Sequence, residues 1–155
     1  MPEPNVVHNT FTVERLLPQT PERVFAAFAD PAKKRKWFAE GHSHEVLQFE
    51  GDFRVGGTEL TRYRMSDKTP FPGVELATEG TYLDIVPNQR IVQASFMSIG
   101  GRTISTSMAT IEFVRNDIGT ELVLTHQAAF FEGSDGPKMR EDGWRKLFDK
   151  LASTM

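Results

Sequence analysis

Six strand-like runs follow one another with no helix between them, and this constrains the fold more than any other feature of the chain. Alternating and β-branched residues bounded by turn residues place the runs at about 43–50, 57–65, 74–86, 89–98, 102–115 and 119–130. No connection between them is long enough for a crossover helix. Neighbouring runs must therefore pair as hairpins in an antiparallel meander.

The flanking segments read differently. Thr10 to Leu17 carries Phe11, Val13 and Arg15 on one side and predicts a first strand, ended by Pro18. Thr20 then caps a helix that has Pro21 at its first position, with Val24, Phe25 and Phe28 as its apolar stripe. Pro31 ends that helix at Asp30, because the residue before a proline is pushed out of helical geometry. Asp30 and Pro31 open a second short helix through Lys33, Lys34, Arg35 and Lys36 to Trp37 and Phe38. At the other end, Met139, Trp144, Leu147, Phe148 and Leu151 fall on one face of a long helix that starts at Gly136-Pro137. The order predicts an α+β fold, a curved antiparallel sheet wrapped around the C-terminal helix, with two short helices after the first strand. With 155 residues and no linker or repeat, residues 1–155 read as one domain, and Ser66 to Gly73, with two prolines, as a mobile loop.

Charge and composition exclude several classes of function. A net charge of −3 leaves no surplus cations to neutralise phosphates, so neither nucleic acid nor an anionic membrane surface is an expected partner. The absence of cysteine removes disulfides, thiolate nucleophiles and cysteine zinc sites. No apolar run approaches the length of a membrane span, and Met1 to Thr10 lacks the basic start and apolar stretch of a secretion signal, which makes the cytoplasm the expected location. A small molecule or another protein remains as partner, and a homodimer stays open.

The hairpin around Asn116, Asp117 and Gly119 is the most informative stretch. Pairing Arg115 with Thr120 puts Phe113 opposite Leu122, Ile111 opposite Leu124, Ala109 opposite His126 and Ser107 opposite Ala128. Bulk falls away from the turn, so the far end of this face offers alanine, serine and one imidazole where a close-packed interior needs large side chains. Gly143, inside the closing helix, points the same way if something approaches it closely. A cavity follows, unless Trp37 and Phe38 from the short helices plug it. His126 would orient a ligand hydroxyl or carbonyl in such a space, or else hydrogen-bond within the core. Alternation leaves the inward face of the strand carrying Tyr82 open.

Other constellations carry less. His42 and His44, with Glu59 as a third ligand, make a weak metal pattern without the usual spacing, and no metal or cofactor is expected. Lys33 to Lys36 reads as a solvated helix face, with a docking patch for an acidic partner as the second reading. Gly56-Gly57 lacks the lysine and helix of a phosphate loop and reads as a bulge or tight turn. No nucleophile elbow and no acid and base pair is visible, so the sequence alone shows no catalytic residues.

Several separated motifs, in order, carry a resemblance: Thr20-Pro21-Glu22-Arg23-Val24-Phe25, DPAKKRKWF, DFRVGGTE from Asp52 to Glu59, YLDIVPNQRIV from Tyr82 to Val92, GTELVLTHQAAF from Gly119 to Phe130, and DGPKMREDGWRKLFDKL. From about Phe11 to Leu151 the chain resembles the family of homologues of the activator of heat-shock protein 90 ATPase, within the START-like superfamily, and among them the bacterial single-domain members. The resemblance implies a helix-grip fold with a deep hydrophobic cavity between sheet and C-terminal helix. The superfamily includes lipid carriers, hormone receptors, aromatases and cyclases, so fold does not fix activity.

Three functions follow. The first is a binding protein for a hydrophobic or aromatic molecule, with Trp37, Tyr63, Tyr82, Phe96, Trp144 and Phe148 lining the pocket and His126 or Ser107 supplying polarity; core packing is the competing role of each aromatic residue. The second is a cyclase or hydrolase in which His126 or Glu59 moves a proton. The third is a module acting on a chaperone, a role set against by the likeness to single-domain members and requiring an exposed apolar patch.

Overall fold

The computed structural model describes residues 5–155; residues 1–4, part of the start read as lacking a secretion signal, lie outside them. The strands are β1 (Val7–Leu17), β2 (His44–Gly51), β3 (Thr58–Met65), β4 (Glu75–Val86), β5 (Arg90–Ile99), β6 (Arg102–Arg115) and β7 (Thr120–Phe130). They form one seven-stranded sheet in the order β1-β7-β6-β5-β4-β3-β2, with every neighbouring pair antiparallel. The first strand begins at Val7, earlier than its apolar pattern suggests, because its exposed start still pairs with Phe130 and Ala129 of β7.

One residue joins the first two helices. Asp30 donates its backbone N–H to Ala26 O at the end of α1 (Pro21–Ala29), while its carboxylate accepts from Ala32 N and opens α2 (Pro31–Lys34). The chain then widens into a π-helix over Arg35–Ala39, closed by the Glu40 N–H to Arg35 O bond of 2.9 Å. The last helix, α3 (Gly136–Thr154), packs on β1 and on the π-helix. Sheet, short helices and closing helix make the α+β helix-grip architecture.

The register defines rows across the inner face. Toward the β6–β7 turn, Val13, Leu124, Ile111, Ile91 and Ile85 form a row of bulky side chains, roofed by Val24, Phe25 and Phe28 of α1. The next row is Phe11, His126, Ala109, Gln93 and Tyr82, and beyond it comes Asn9, Ala128, Ser107, Ser95, Gly80 and Glu59. Bulk falls away from the turn as the hairpin register requires, and all five of its pairs, from Arg115↔Thr120 to Ser107↔Ala128, are present.

Two bulges decide which side chains reach this face. Tyr82 pairs with Gln93 but Asp84 with Val92, so Leu83 is an extra residue, and the reset brings both Tyr82 and Ile85 inward while Leu83 stays exposed. On β6, Met97 pairs with Ser105 and Ser98 with Thr103, leaving Ile104 extra. A regular count from the turn would pair Ile104 with Met97 and set Phe96 opposite the inward Ser105; because Ile104 is left out of the ladder, Phe96 pairs with Thr106 on the outer face and is 40% exposed.

Two expectations for α3 change. Arg140, not Met139, shares the inward stripe with Trp144, Phe148 and Leu151; Met139 is one residue out of phase and 60% exposed. Gly143 is exposed, and a Cβ there would meet nothing within 4 Å, so it gives no support to a cavity. Gly57 by contrast has no room, because its Cβ would lie 2.1 Å from Asp52 O in the tight turn that feeds β3.

Candidate functional site

The inner face carries two clusters of buried polar groups. The first joins α2 to the sheet. Lys34 Nζ donates to Glu59 Oε1 at 2.9 Å and Oε2 at 2.7 Å, and the Tyr82 hydroxyl donates to Glu59 Oε2 at 2.7 Å. Lys34 and Glu59 are each 5% exposed, and the ammonium lies 4.7 Å from the Phe38 ring centroid. Burial, reinforced by the Glu59 charge, raises the Tyr82 phenol far above its ordinary range, and the same two causes raise Tyr63. Every group in this cluster has a partner.

The basic helix is therefore not solvated all round, since Lys34 turns inward. Its place was readable: Pro31, Lys34, Trp37 and Phe38 share one helical face, and Glu59, Thr61 and Tyr63 share one side of β3. Glu59 is held by a cation, and no group of three histidine or acidic side chains comes together to hold a metal among the described residues. His44 instead hydrogen-bonds Ala39 O through Nε2.

The second cluster is incomplete. Asn9 Oδ1, Thr78 Oγ1 and His126 Nδ1 are buried without a hydrogen-bond partner, and the register places all three on the inner face, Asn9 and His126 as diagonal neighbours on the paired strands β1 and β7 and Thr78 apart from them on β4. A further such atom, Gln19 Oε1, belongs to the turn into α1. The His126 ring stacks on Phe11 at 4.6 Å and lies 6.5 Å from Trp144 and from Phe130. Burial, with the nearby Arg140 charge adding to it and Asp135 opposing, lowers His126 to about 4, so the ring is neutral at neutral pH. Ser95 and Ser107 hydrogen-bond each other at 3.0 Å in the row of small residues.

Arg140 closes one side of this region. Its guanidinium forks onto both Asp135 carboxylate oxygens at 2.8 Å and donates to Ser105 Oγ at 2.9 Å. Burial alone would raise the Asp135 carboxyl, but the hydrogen bonds and charge of Arg140 hold it below the usual range. Arg140 and Asp135 escaped the sequence reading because the helical stripe was phased on Met139.

The structure gathers most of the residues read as ligand contacts, though not into one open pocket. Tyr82, Trp37 and Phe148 are core residues at 1–2% exposure. Trp37 packs on Phe28 and donates its indole N–H to Ala27 O at 2.9 Å. Tyr63 donates to Phe38 O, and Phe38 and Trp144 stack at 6.0 Å, both half-buried. Of the two rings read as a plug, Trp37 packs toward α1 and Phe38 against Trp144 of α3. Phe96 does not belong to this side of the sheet.

Recesses open on the surface of the described residues. One, of about 390 Å³, lies at β1, β7 and β6 and is lined by the outer-face residues Thr10, Thr106 and Gln127 together with Asn9, Ser107 and Ala128 of the inner rows. Another, of about 380 Å³, sits between α1, the π-helix and the end of α3. A third, of about 700 Å³, is bordered by His42, Lys68 and Lys150. No helix is long and apolar enough to cross a membrane among the described residues.

Known proteins fit this geometry. A protein from Rhizobium loti has a crystal structure that superposes with a TM-score of 0.85 at 43% identity, covering 97% of this chain and 99% of its own. An uncharacterised protein from Rhizobium leguminosarum gives 0.90 at 35% identity, covering 99% and 97%. An AHSA1-like protein from Aeromonas hydrophila, at 20% identity and a TM-score of 0.69 over 94% of this chain and 91% of its own, shares the fold. No protein with a curated description matches the sequence. The profile of the Activator of Hsp90 ATPase homolog 1-like proteins matches residues 18–155, nearly the whole helix-grip domain, and the chain belongs to that family.

Proposed function

We propose that this chain binds a small, largely apolar molecule bearing a hydrogen-bonding group, held between the inner face of the sheet and α3. The observation that carries the reading is the pair of buried, unpartnered atoms on the neighbouring strands β1 and β7, Asn9 Oδ1 and His126 Nδ1. A buried polar atom without a partner costs roughly 1–3 kcal/mol, which a ligand's own donor or acceptor would recover. A neutral imidazole offers one donor and one acceptor, suited to a hydroxyl or carbonyl. Ser107 and the small residues around it leave the least bulk beside these atoms, while Tyr63, Tyr82 and Phe148 supply the apolar surround. Phe38 and Trp144, stacked and only half-buried, are the side chains that would part to admit the ligand.

A cyclase or hydrolase reading has less support. Its proton carrier would be Glu59, which is tied to Lys34 and Tyr82, or His126, which at about 4 is a weak base. The family's name raises a chaperone partner, but the unpartnered Asn9 and His126 atoms call for a small molecule rather than a protein surface.

The test is an NMR titration with 2-naphthol, a neutral planar probe, using the two tryptophan indole signals as reporters. Saturable shifts of Trp144 and of the His126 ring are expected, with affinity about tenfold weaker in His126→Ala, the loss of about one buried hydrogen bond. Absence of any saturable shift, together with nothing bound to protein isolated from its own host by native mass spectrometry, would overturn the reading.

A further inference from the structure

We propose a second binding site, for a small organic anion with an apolar body, in the recess between α1, the π-helix and the C-terminal end of α3. Its volume of about 380 Å³ falls within the span that holds small molecules, roughly 300–1,000 Å³. Its floor is apolar, made by Ala26, Ala27 and the buried Trp37 ring, whose position is fixed by the indole N–H bond to Ala27 O at 2.9 Å. Its rim carries Arg23, Lys33 and Lys36, all exposed.

None of these three cations has a carboxylate partner among the described residues; Lys68, Arg102, Lys146 and Lys150 lack one too, but only Arg23, Lys33 and Lys36 converge on one recess with an apolar floor. Glu22 also borders the recess, but its carboxylate is bound by Arg115 of the β6 end. Three cations without an ion-pair partner outnumber the opposing groups around the apolar floor, Glu22 being bound by Arg115 and the α3 end contributing Thr154 and Met155, and they make a local match for an anion whose body packs against the alanines and the exposed margin of Trp37. Neither a bare inorganic anion, which gains nothing from the floor, nor a neutral aromatic, which gains nothing from the rim, fits both halves of the recess.

The site is separate from the interior one, and the two tryptophans separate them experimentally: Trp37 reports the recess and Trp144 the interior. In an NMR titration, 2-naphthoate should move the Trp37 indole signal saturably and leave Trp144 in place, while 2-naphthol should leave Trp37 in place. Each exposed cation neutralised should weaken binding by about threefold, so R23Q/K33Q/K36Q should weaken it by more than tenfold, and added salt should weaken it as well. All three side chains are exposed, and the circular dichroism of the variant checks that it folds. The proposal is overturned if 2-naphthoate fails to move Trp37, or if the triple variant binds it as the wild type does. It is equally overturned if the variant only lowers the melting temperature, which would assign the cations to the C-terminal end of α3.

Discussion

The two polar clusters of the inner face share a sheet and degree of burial but differ in completeness. Lys34, Glu59 and Tyr82 satisfy one another, whereas Asn9, Thr78 and His126 each present a buried atom to nothing. A satisfied buried ion pair fixes geometry, here by pinning α2 and the π-helix over the sheet; removing one partner leaves a charge stranded. An unsatisfied set does the reverse, since it lowers the stability of the empty protein and rewards whatever supplies the missing bonds. The first set holds the fold together, and the second is the one that the proposed ligand would complete at Asn9 and His126.

The largest effect should come from breaking the complete cluster. Glu59→Gln leaves the Lys34 ammonium buried without its counter-charge and should cost about 3 kcal/mol or more in urea unfolding, the usual penalty for half of a buried pair. The double variant Lys34→Met with Glu59→Leu removes both charges and should recover most of that loss. If Glu59→Gln costs under about 1 kcal/mol, the cluster does not hold the helices and the contrast between the two ends fails.

The next effect belongs to His126 and is read as pH dependence. Its folded-state value of about 4 lies below the ordinary 6.5, so between these pH values the unfolded chain binds the proton and the folded one does not. Stability is complete above about 6.5, falls as pH drops toward 4, and loses about 3 kcal/mol in all, from 1.36 kcal/mol for each pH unit of difference. Asp135, held below the usual carboxylate range by Arg140, titrates beneath that window and does not blur it. Urea unfolding of wild type and His126→Phe from pH 7 to pH 4 should give difference curves that diverge toward acid. Parallel curves would mean that the imidazole reaches water.

How much of this contrast could be read from the sequence depended on how many residues each inference had to cross. The β6–β7 hairpin was legible because its turn residues sit between the two strands they register, and Asn116 Oδ1 does accept from Ile118 N and Gly119 N. His126 and Ser107 followed directly. The face of Phe96 did not, because one extra residue at Ile104 reverses the alternation of everything paired beyond it, and no local composition marks a bulge there. The same holds at Leu83, which lets Tyr82 and Ile85 both turn inward where strict alternation allows only one. Asn9 and Thr78 went unread for a different reason: they lie on strands whose partners are distant in sequence or set by bulged hairpins, so their inward facing emerges only from the assembled sheet. Lys34 lay within reach of simple helical spacing but was masked by three cationic neighbours.

The smallest effect tests the contrast most directly, because it compares two hydroxyls on one face. Tyr82 donates to a buried carboxylate, so Tyr82→Phe should cost about 1.5–3 kcal/mol, the range for a hydrogen bond to a charged group. Thr78 Oγ1 is buried and bonds to nothing, so Thr78→Val keeps the shape, removes the unpaired oxygen and should stabilise the empty protein by about 1 kcal/mol. The opposite signs are the point, since burial alone would predict the same sign for both. A Thr78→Val variant that is less stable than wild type without ligand would mean that the hydroxyl is already satisfied, by water or by a rearranged neighbour, and the incomplete cluster would be reduced to Asn9 and His126.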